Sequence, residues 1–131
     1  MILALQTDGP TTKLWFFDPG QTPAGPDVTW DSGRSLADEL PGRLISELHH
    51  RHAQLSDLTG IIIFSGPGSF TSLRIGHTVA NTLADGLNIP IIGTRGENWL
   101  KIGIKALPST KPAIPALPFY GAEANITRPK R

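Results

Sequence analysis

"GPGSFTSLRIG", residues 66–76, follows directly on the apolar run "IIIFS", residues 61–65, and the reading of the whole chain turns on this junction. An apolar run that leaves through glycines into a helical pattern is a strand-to-helix exit of an α/β protein. Such exits often hold phosphate, because the first helical amides lack partners and the helix dipole is positive there. The residue types here fit that chemistry poorly. "GPGSFTS" has no Lys, so it is no Walker loop, and Thr71 stands where a dinucleotide-binding G-x-G-x-x-G would place its third glycine. Two readings stand. Backbone amides with the Ser69 or Thr71 hydroxyl could hold a phosphate, or Gly66 and Gly68 make a tight turn while Ser69 caps the helix. The residues favour the turn and cap.

The helix that follows, "FTSLRIGHTVANTLADGLN" at 70–88, should close at Gly86 or Asn88. At about 100° per residue, Phe70, Leu73, His77, Ala80, Ala84 and Leu87 share one face. Ile75, Val79 and Leu83 fall nearly opposite, flanked by the small residues Ser72, Gly76 and Gly86. Arg74, Thr78, Asn81, Thr82 and Asp85 form a narrow polar stripe. The apolar arc of roughly 220° is about twice what a helix resting on a sheet needs. One face covers the sheet, and the second must meet another helix of the chain, another protein, or both.

Upstream, "MILALQT" and "TKLWFFD" are short apolar or alternating runs around the turn "DGPT", a β-hairpin pattern. "PGQTPAGP" (19–26) is a loop and "DVTW" (27–30) a third strand. Leu36, Leu40, Leu44, Ile45 and Leu48 have helical spacing over 35–53, with Ser35 as N-cap and Pro41 expected to kink or restart the helix. Downstream, "IPIIGT" is another buried strand and "ENWLKIGIKAL" a third helix. The order βββαβαβα predicts a mixed sheet flanked by helices: an α/β lobe over 1–107, then an extended C-terminal tail over 108–131.

Composition narrows the function. Twelve Lys plus Arg against eleven Asp plus Glu give a net charge of +1, far from the basic excess of a protein that grips nucleic acid through phosphates. The cationic "RPKR" at 128–131 reads as a solvated end. With no cysteine there is neither a disulfide framework nor a thiolate site. The N-terminus lacks a signal-peptide pattern and no run reaches membrane-spanning length, so a cytoplasmic protein is expected. His49, His50 and His52 lack the H-x-x-x-H spacing of a helical metal pair and read as surface residues near a helix end.

The segment "GPGSFTSLRIGHTVANTLADGLNIPIIGT" closely resembles the signature of the bacterial TsaB (YeaZ) family. "ILALQTDGPTTKLWFFD" resembles that family's opening hairpin, and "LPGRLISEL" with "LSDLTGI" its first helix and the approach to the next strand. The resemblance runs in unbroken order from Met1 to about Leu107. It implies a single lobe of the actin-like, Hsp70-like (ASKHA, ribonuclease H-like) superfold. It also implies a non-catalytic dimerisation subunit for TsaD, the transferase that makes N6-threonylcarbamoyladenosine in tRNA. TsaE would join as an ATPase, and tRNA would be met only through the complex. The implied partner surface is the pair of first helices, on Leu44, Leu48, Ser72, Ile75, Gly76, Val79 and Leu83, and the isolated chain would pair with itself through the same surface. The glycine-rich loop then comprises Gly66, Pro67, Gly68, Ser69, Phe70, Thr71 and Arg74. No metal and no cofactor is expected on the chain alone, and an ATP-derived nucleotide would belong to the complex interface.

Three departures from the family pattern bear on this. Gln6 replaces the Asp with which the superfold's first strand helps place a nucleotide-bound metal, and Asp8 reads as a turn residue. Ser72 replaces a glycine. The chain resembles a minimal version in which a short tail, "PALPFYGAEANITRPKR", stands where a second lobe would precede it. The rival expectation is a small actin-fold phosphotransferase or ATPase using "GPGSFT" as its phosphate loop. A peptidase reading, the third, lacks the histidine spacing.

Overall fold

The computed structural model describes residues 1–121. Five strands form one sheet in the order β3-β2-β1-β4-β5. β1 (Ile2–Gln6) and β2 (Thr11–Phe17) make the predicted hairpin, with Ile2 opposite Phe17 and Gln6 opposite Lys13. β3 (Val28–Asp31) adds antiparallel to β2. β4 (Gly60–Phe64) and β5 (Ile91–Thr94) continue the sheet in parallel, so each is reached by a helical crossover.

The strand pleat sorts side chains into two cores. Leu3, Leu5, Leu14, Phe16, Ile61, Ile63 and Ile91 point to the face covered by α1 (Leu36–His50) and α2 (Phe70–Leu87). Ile2, Ala4, Phe17, Ile62 and Phe64 point to the other, covered by α3 (Trp99–Ala106) and Leu107. On that second face Trp99 packs edge-on against both Trp15 and Phe64, at centroid distances of 5.3 and 5.5 Å.

α1 buries Leu36, Leu40, Leu44 and Leu48, one residue per turn. It runs unbroken through Pro41, contrary to the expected kink or restart. Pro41 removes only one backbone hydrogen bond, that to the carbonyl of the exposed residue Ala37, so the carbonyl can be solvated. Ser35 occupies the N-cap position without a side-chain bond. At the other end, Arg51 ties the helix to the loop before β3. Its guanidinium donates to the carbonyls of Ala24 (2.6 Å), Pro26 (2.7 Å) and Glu47 (2.9 Å) and lies over the Phe16 ring. α2 closes on Asn88 in the left-handed conformation, as its position predicted. After the short 3₁₀ turn Leu107–Ser109, residues 110–121 contain neither helix nor strand. The basic end at 128–131 and the rest of the expected tail lie outside the described residues.

Candidate functional site

α1 and α2 lie side by side on one face of the sheet, and the furrow between them is apolar. Pro41, Ile45, Leu55, Val79, Leu83 and Leu87 line one end of it. Ala37, Phe70, Ile75 and Val79 continue it towards the start of α2. Ile75, Val79 and Leu83 are half-buried there, while Ile45 is 42% exposed. Apolar side chains left partly in water along two neighbouring helices form a surface suited to another pair of helices.

The structure corrects several expected placements. Gly76 does not sit on the outward arc. It is buried against the sheet, and a Cβ there would overlap the Thr7 side chain, with Thr7 Cγ2 2.9 Å away. The glycine lets α2 approach β1's end closely. Leu44 and Leu48, expected at the partner surface, are buried in the core. The α1 residues that face outward along the furrow are Pro41 and Ile45, and Leu44 contributes only to its floor. Phe70, expected to face the sheet, is 56% exposed: as the first residue of α2 it lies at the helix end, where its ring stacks on Tyr120 at 4.5 Å. Leu73, His77, Ala80 and Ala84 do face the sheet. Ser72 is half-buried.

The glycine-rich loop is tied to the protein at three points. The Ser69 amide donates to the Asp8 carbonyl at 2.8 Å, and Ser69 Oγ accepts from the Ser72 amide at 3.4 Å, the predicted cap. At the strand exit the Ser65 carbonyl accepts from the Phe119 amide at 2.8 Å. Gly66 has a φ of +128°, a conformation that L side chains rarely adopt, and a Cβ there would overlap the Phe119 carbonyl. The Asp8 carboxylate accepts from Gln6 Nε2 at 3.4 Å and puts a negative group next to the loop. Pro67, Gly68, Ser69 and Thr71 are exposed, and Arg74 lies 5.4 Å from the Phe70 ring. With two of its amides already bonded and an acid alongside, the loop acts as a turn and cap more readily than as an anion cradle.

His77, buried on the sheet side, donates from Nδ1 to the Leu73 carbonyl at 2.8 Å when that nitrogen carries the proton. Burial lowers its pKa from the ordinary histidine value, against a smaller upward push from that bond. Its Nε2 and Thr7 Oγ1 are buried without a partner among the described residues. His49, His50 and His52 are exposed near the end of α1, and His50 lies 3.7 Å from Glu47. Among the described residues no three His, Cys, Asp or Glu side chains group as metal ligands would, and no helix is long and apolar enough to cross a membrane.

Sequence reasoning missed Asn81, Arg95 and Phe119. Asn81 was placed in the polar stripe of α2, where its amide in fact binds both backbone groups of Ala116, each at 2.9 Å. Arg95 stacks over the Phe119 ring at 3.7 Å. Nothing local in the sequence pairs positions so far apart along the chain, so no signal was available.

Comparison with known proteins places this geometry. The family model for TsaD, tRNA N6-adenosine threonylcarbamoyltransferase, matches residues 36–100. The tRNA threonylcarbamoyladenosine biosynthesis protein TsaB of Bacillus subtilis (strain 168) is 57% identical over 35 residues, 27% of this chain and 15% of that protein. A Methanosarcina acetivorans protein named "Probable bifunctional tRNA threonylcarbamoyladenosine biosynthesis protein" is 34% identical over 85 residues, 64% of this chain and 15% of that one. Among solved structures, YeaZ from Pseudomonas aeruginosa aligns with a TM-score of 0.65 and 26% identity, over 72% of this chain and 43% of YeaZ. A second structure from that organism, described as similar to peptidase YeaZ, gives 0.63 and 25%, over 72% and 42%. The matched region thus spans less than half of each solved relative and a smaller part of the curated ones. The mixed sheet flanked by helices is a single α/β lobe of the actin-like class, as expected.

Proposed function

We propose, because the chain belongs to the TsaB (YeaZ) family, that it is a scaffold subunit: it binds TsaD and stabilises it for the synthesis of N6-threonylcarbamoyladenosine in tRNA. One observation carries the reading. The furrow between α1 and α2 leaves Ile45, Ile75, Val79 and Leu83 partly in water, on the surface that two helices of a partner would cover. Four such helices make a bundle whose core is these side chains. In the absence of TsaD, two copies of the chain pair through the same furrow. TsaE joins the assembled complex, tRNA is met only through it, and the working location is the cytoplasm.

In this reading the chain is non-catalytic and holds neither metal nor nucleotide alone. Support comes from the bonded amides of the glycine-rich loop, from Gln6 in the first strand and from the acid at Asp8. An ATP-derived nucleotide would be held at the interface with TsaD. The enzyme alternative, a phosphotransferase using the loop at 66–71, predicts phosphate release from ATP that a Gln6→Ala, Ser69→Ala double variant abolishes. The scaffold predicts none above that control.

The deciding test is co-expression with TsaD from the same organism, followed by size-exclusion chromatography and sedimentation. A stoichiometric heterodimer, displacing a homodimer seen for the chain alone at micromolar concentration, is expected. Two species that migrate separately would overturn the proposal.

A further inference from the structure

Residues 116–120 run past the carboxyl ends of β4 and β5, where open α/β sheets commonly take ligands, and they are held there by the Phe70 and Asn81 side chains of α2, by Arg95 after β5 and by the Ser65 main chain after β4. Asn81 Nδ2 donates to the Ala116 carbonyl and its Oδ1 accepts from the Ala116 amide, so one side chain offers the donor and acceptor that a neighbouring strand would. Three residues on, the Phe119 amide donates to the Ser65 carbonyl and the Phe119 ring lies under the Arg95 guanidinium. The next residue, Tyr120, stacks on Phe70.

We propose that Ala116–Tyr120 is a clasp, an extended peptide seated reversibly in a built groove, whose release frees the Ser65 carbonyl and bares Gly66 and the Phe70 ring at the start of the glycine-rich loop. The groove reads its occupant through main-chain hydrogen bonds together with the side chains of Ala116, Phe119 and Tyr120. Ala116 is 7% exposed and lies 3.6 Å from where a Cβ on Gly93 would stand, so only a small residue fits. Leu117 is 77% exposed and is not selected. Aromatic rings, Phe119 and Tyr120, stand at the fourth and fifth positions. Gly66 completes the seat, since any side chain there would overlap the Phe119 carbonyl.

Reversibility follows from how little holds the segment. It joins no strand ladder, and its two ends are fixed by an Asn side chain and by surface stacking, the kind of segment that opens without unfolding its domain. An open clasp frees the Ser65 carbonyl and exposes the Arg95 and Phe70 faces next to the loop. The clasp rests on these contacts alone and is independent of the TsaD reading.

Amide hydrogen exchange on the full chain, resolved by NMR, tests it. The Ala116 and Phe119 amides should exchange more slowly than in an unstructured peptide, yet at least a hundredfold faster than Ile62 and Ile63 in β4. Asn81→Asp replaces the donor facing the Ala116 carbonyl with an oxygen and should speed both clasp amides at least tenfold, leaving β4 unchanged. Phe119→Ala, which leaves α2 untouched, should speed Ala116 exchange as well. Clasp amides that exchange at the β4 rate, or that ignore both substitutions, would overturn the proposal.

Discussion

The two sides of α2 are built from similar apolar residues and meet opposite environments. On the sheet side Leu73, Gly76, His77, Ala80 and Ala84 are buried; on the other, Ile75, Val79 and Leu83 are half in water. The sheet side carries the smaller residues. Gly76 rests against Thr7, and the helix axis lies so close there that no bulkier residue fits. Bulk has been placed on the outward side, the reverse of what a helix serving only its own core would do. An apolar arc wider than the sheet requires therefore leaves the furrow side suited to the second contact proposed for it. The size of the residues within it tells which side is which.

A charge on each side separates the two environments most sharply. Ala84 is 3% exposed, and a carboxylate there would be stranded in the core. An unpaired buried charge costs roughly 3–5 kcal/mol, much of a domain's typical stability. Ala84→Glu should therefore leave the chain largely unfolded by circular dichroism. Val79→Glu should leave a cooperatively folded protein, because its carboxylate can reach water from the furrow. Binding to TsaD should instead weaken by about two decades or more, the equivalent of roughly 3 kcal/mol of desolvation in the complex. Titration calorimetry that found unchanged affinity would return the outward side to ordinary surface.

A finer cut compares two small residues one turn apart. Gly76→Ala adds a methyl that must displace the Thr7 side chain, an overpacking cost of about 1–3 kcal/mol in urea unfolding. Ser72→Ala, on the half-buried side, should change stability by less than about 0.5 kcal/mol. Equal effects would mean that Gly76 is not the close contact between helix and sheet.

The strands, the three helices and their order were legible because each rests on a short-range signal: alternation in Thr11–Phe17, unbroken apolar runs at Ile61–Phe64, i, i+4 leucines in 36–48, the Ser69 cap. Helical spacing also isolated Ile75, Val79 and Leu83 correctly. The family resemblance put Leu44 and Leu48 on the partner surface, yet they continue the buried row of Leu36 and Leu40; spacing itself failed at Gly76, near the boundary between faces. There, about 100° of helical phase cannot say whether a neighbour is the sheet, the other helix or water. The clasp was illegible for a different reason. Asn81 and Ala116 are related only by the folded path of the chain, and an Asn in a polar stripe looks the same with or without a peptide in its grip.

The smallest expected effect also belongs to the sheet side. His77 is the one histidine buried there, and its pKa is lowered chiefly by desolvation, so the folded state holds it neutral where an unfolded chain would begin to protonate it. Below its ordinary value of 6.5 the unfolded state binds more protons than the folded one, and stability falls as pH drops until the folded pKa is passed. Above 6.5 both states are neutral and the contribution is constant. The wild-type slope sums every group whose proton binding differs between the two states, so it alone decides nothing. His77→Gln, which stays uncharged and retains a group able to donate to the Leu73 carbonyl, should flatten urea-derived stability below pH 6.5 relative to wild type while leaving the curve above pH 7 parallel. A variant whose pH dependence matched wild type throughout would show that proton uptake at His77 is the same in both states, and that this side of α2 is wetter than its burial implies.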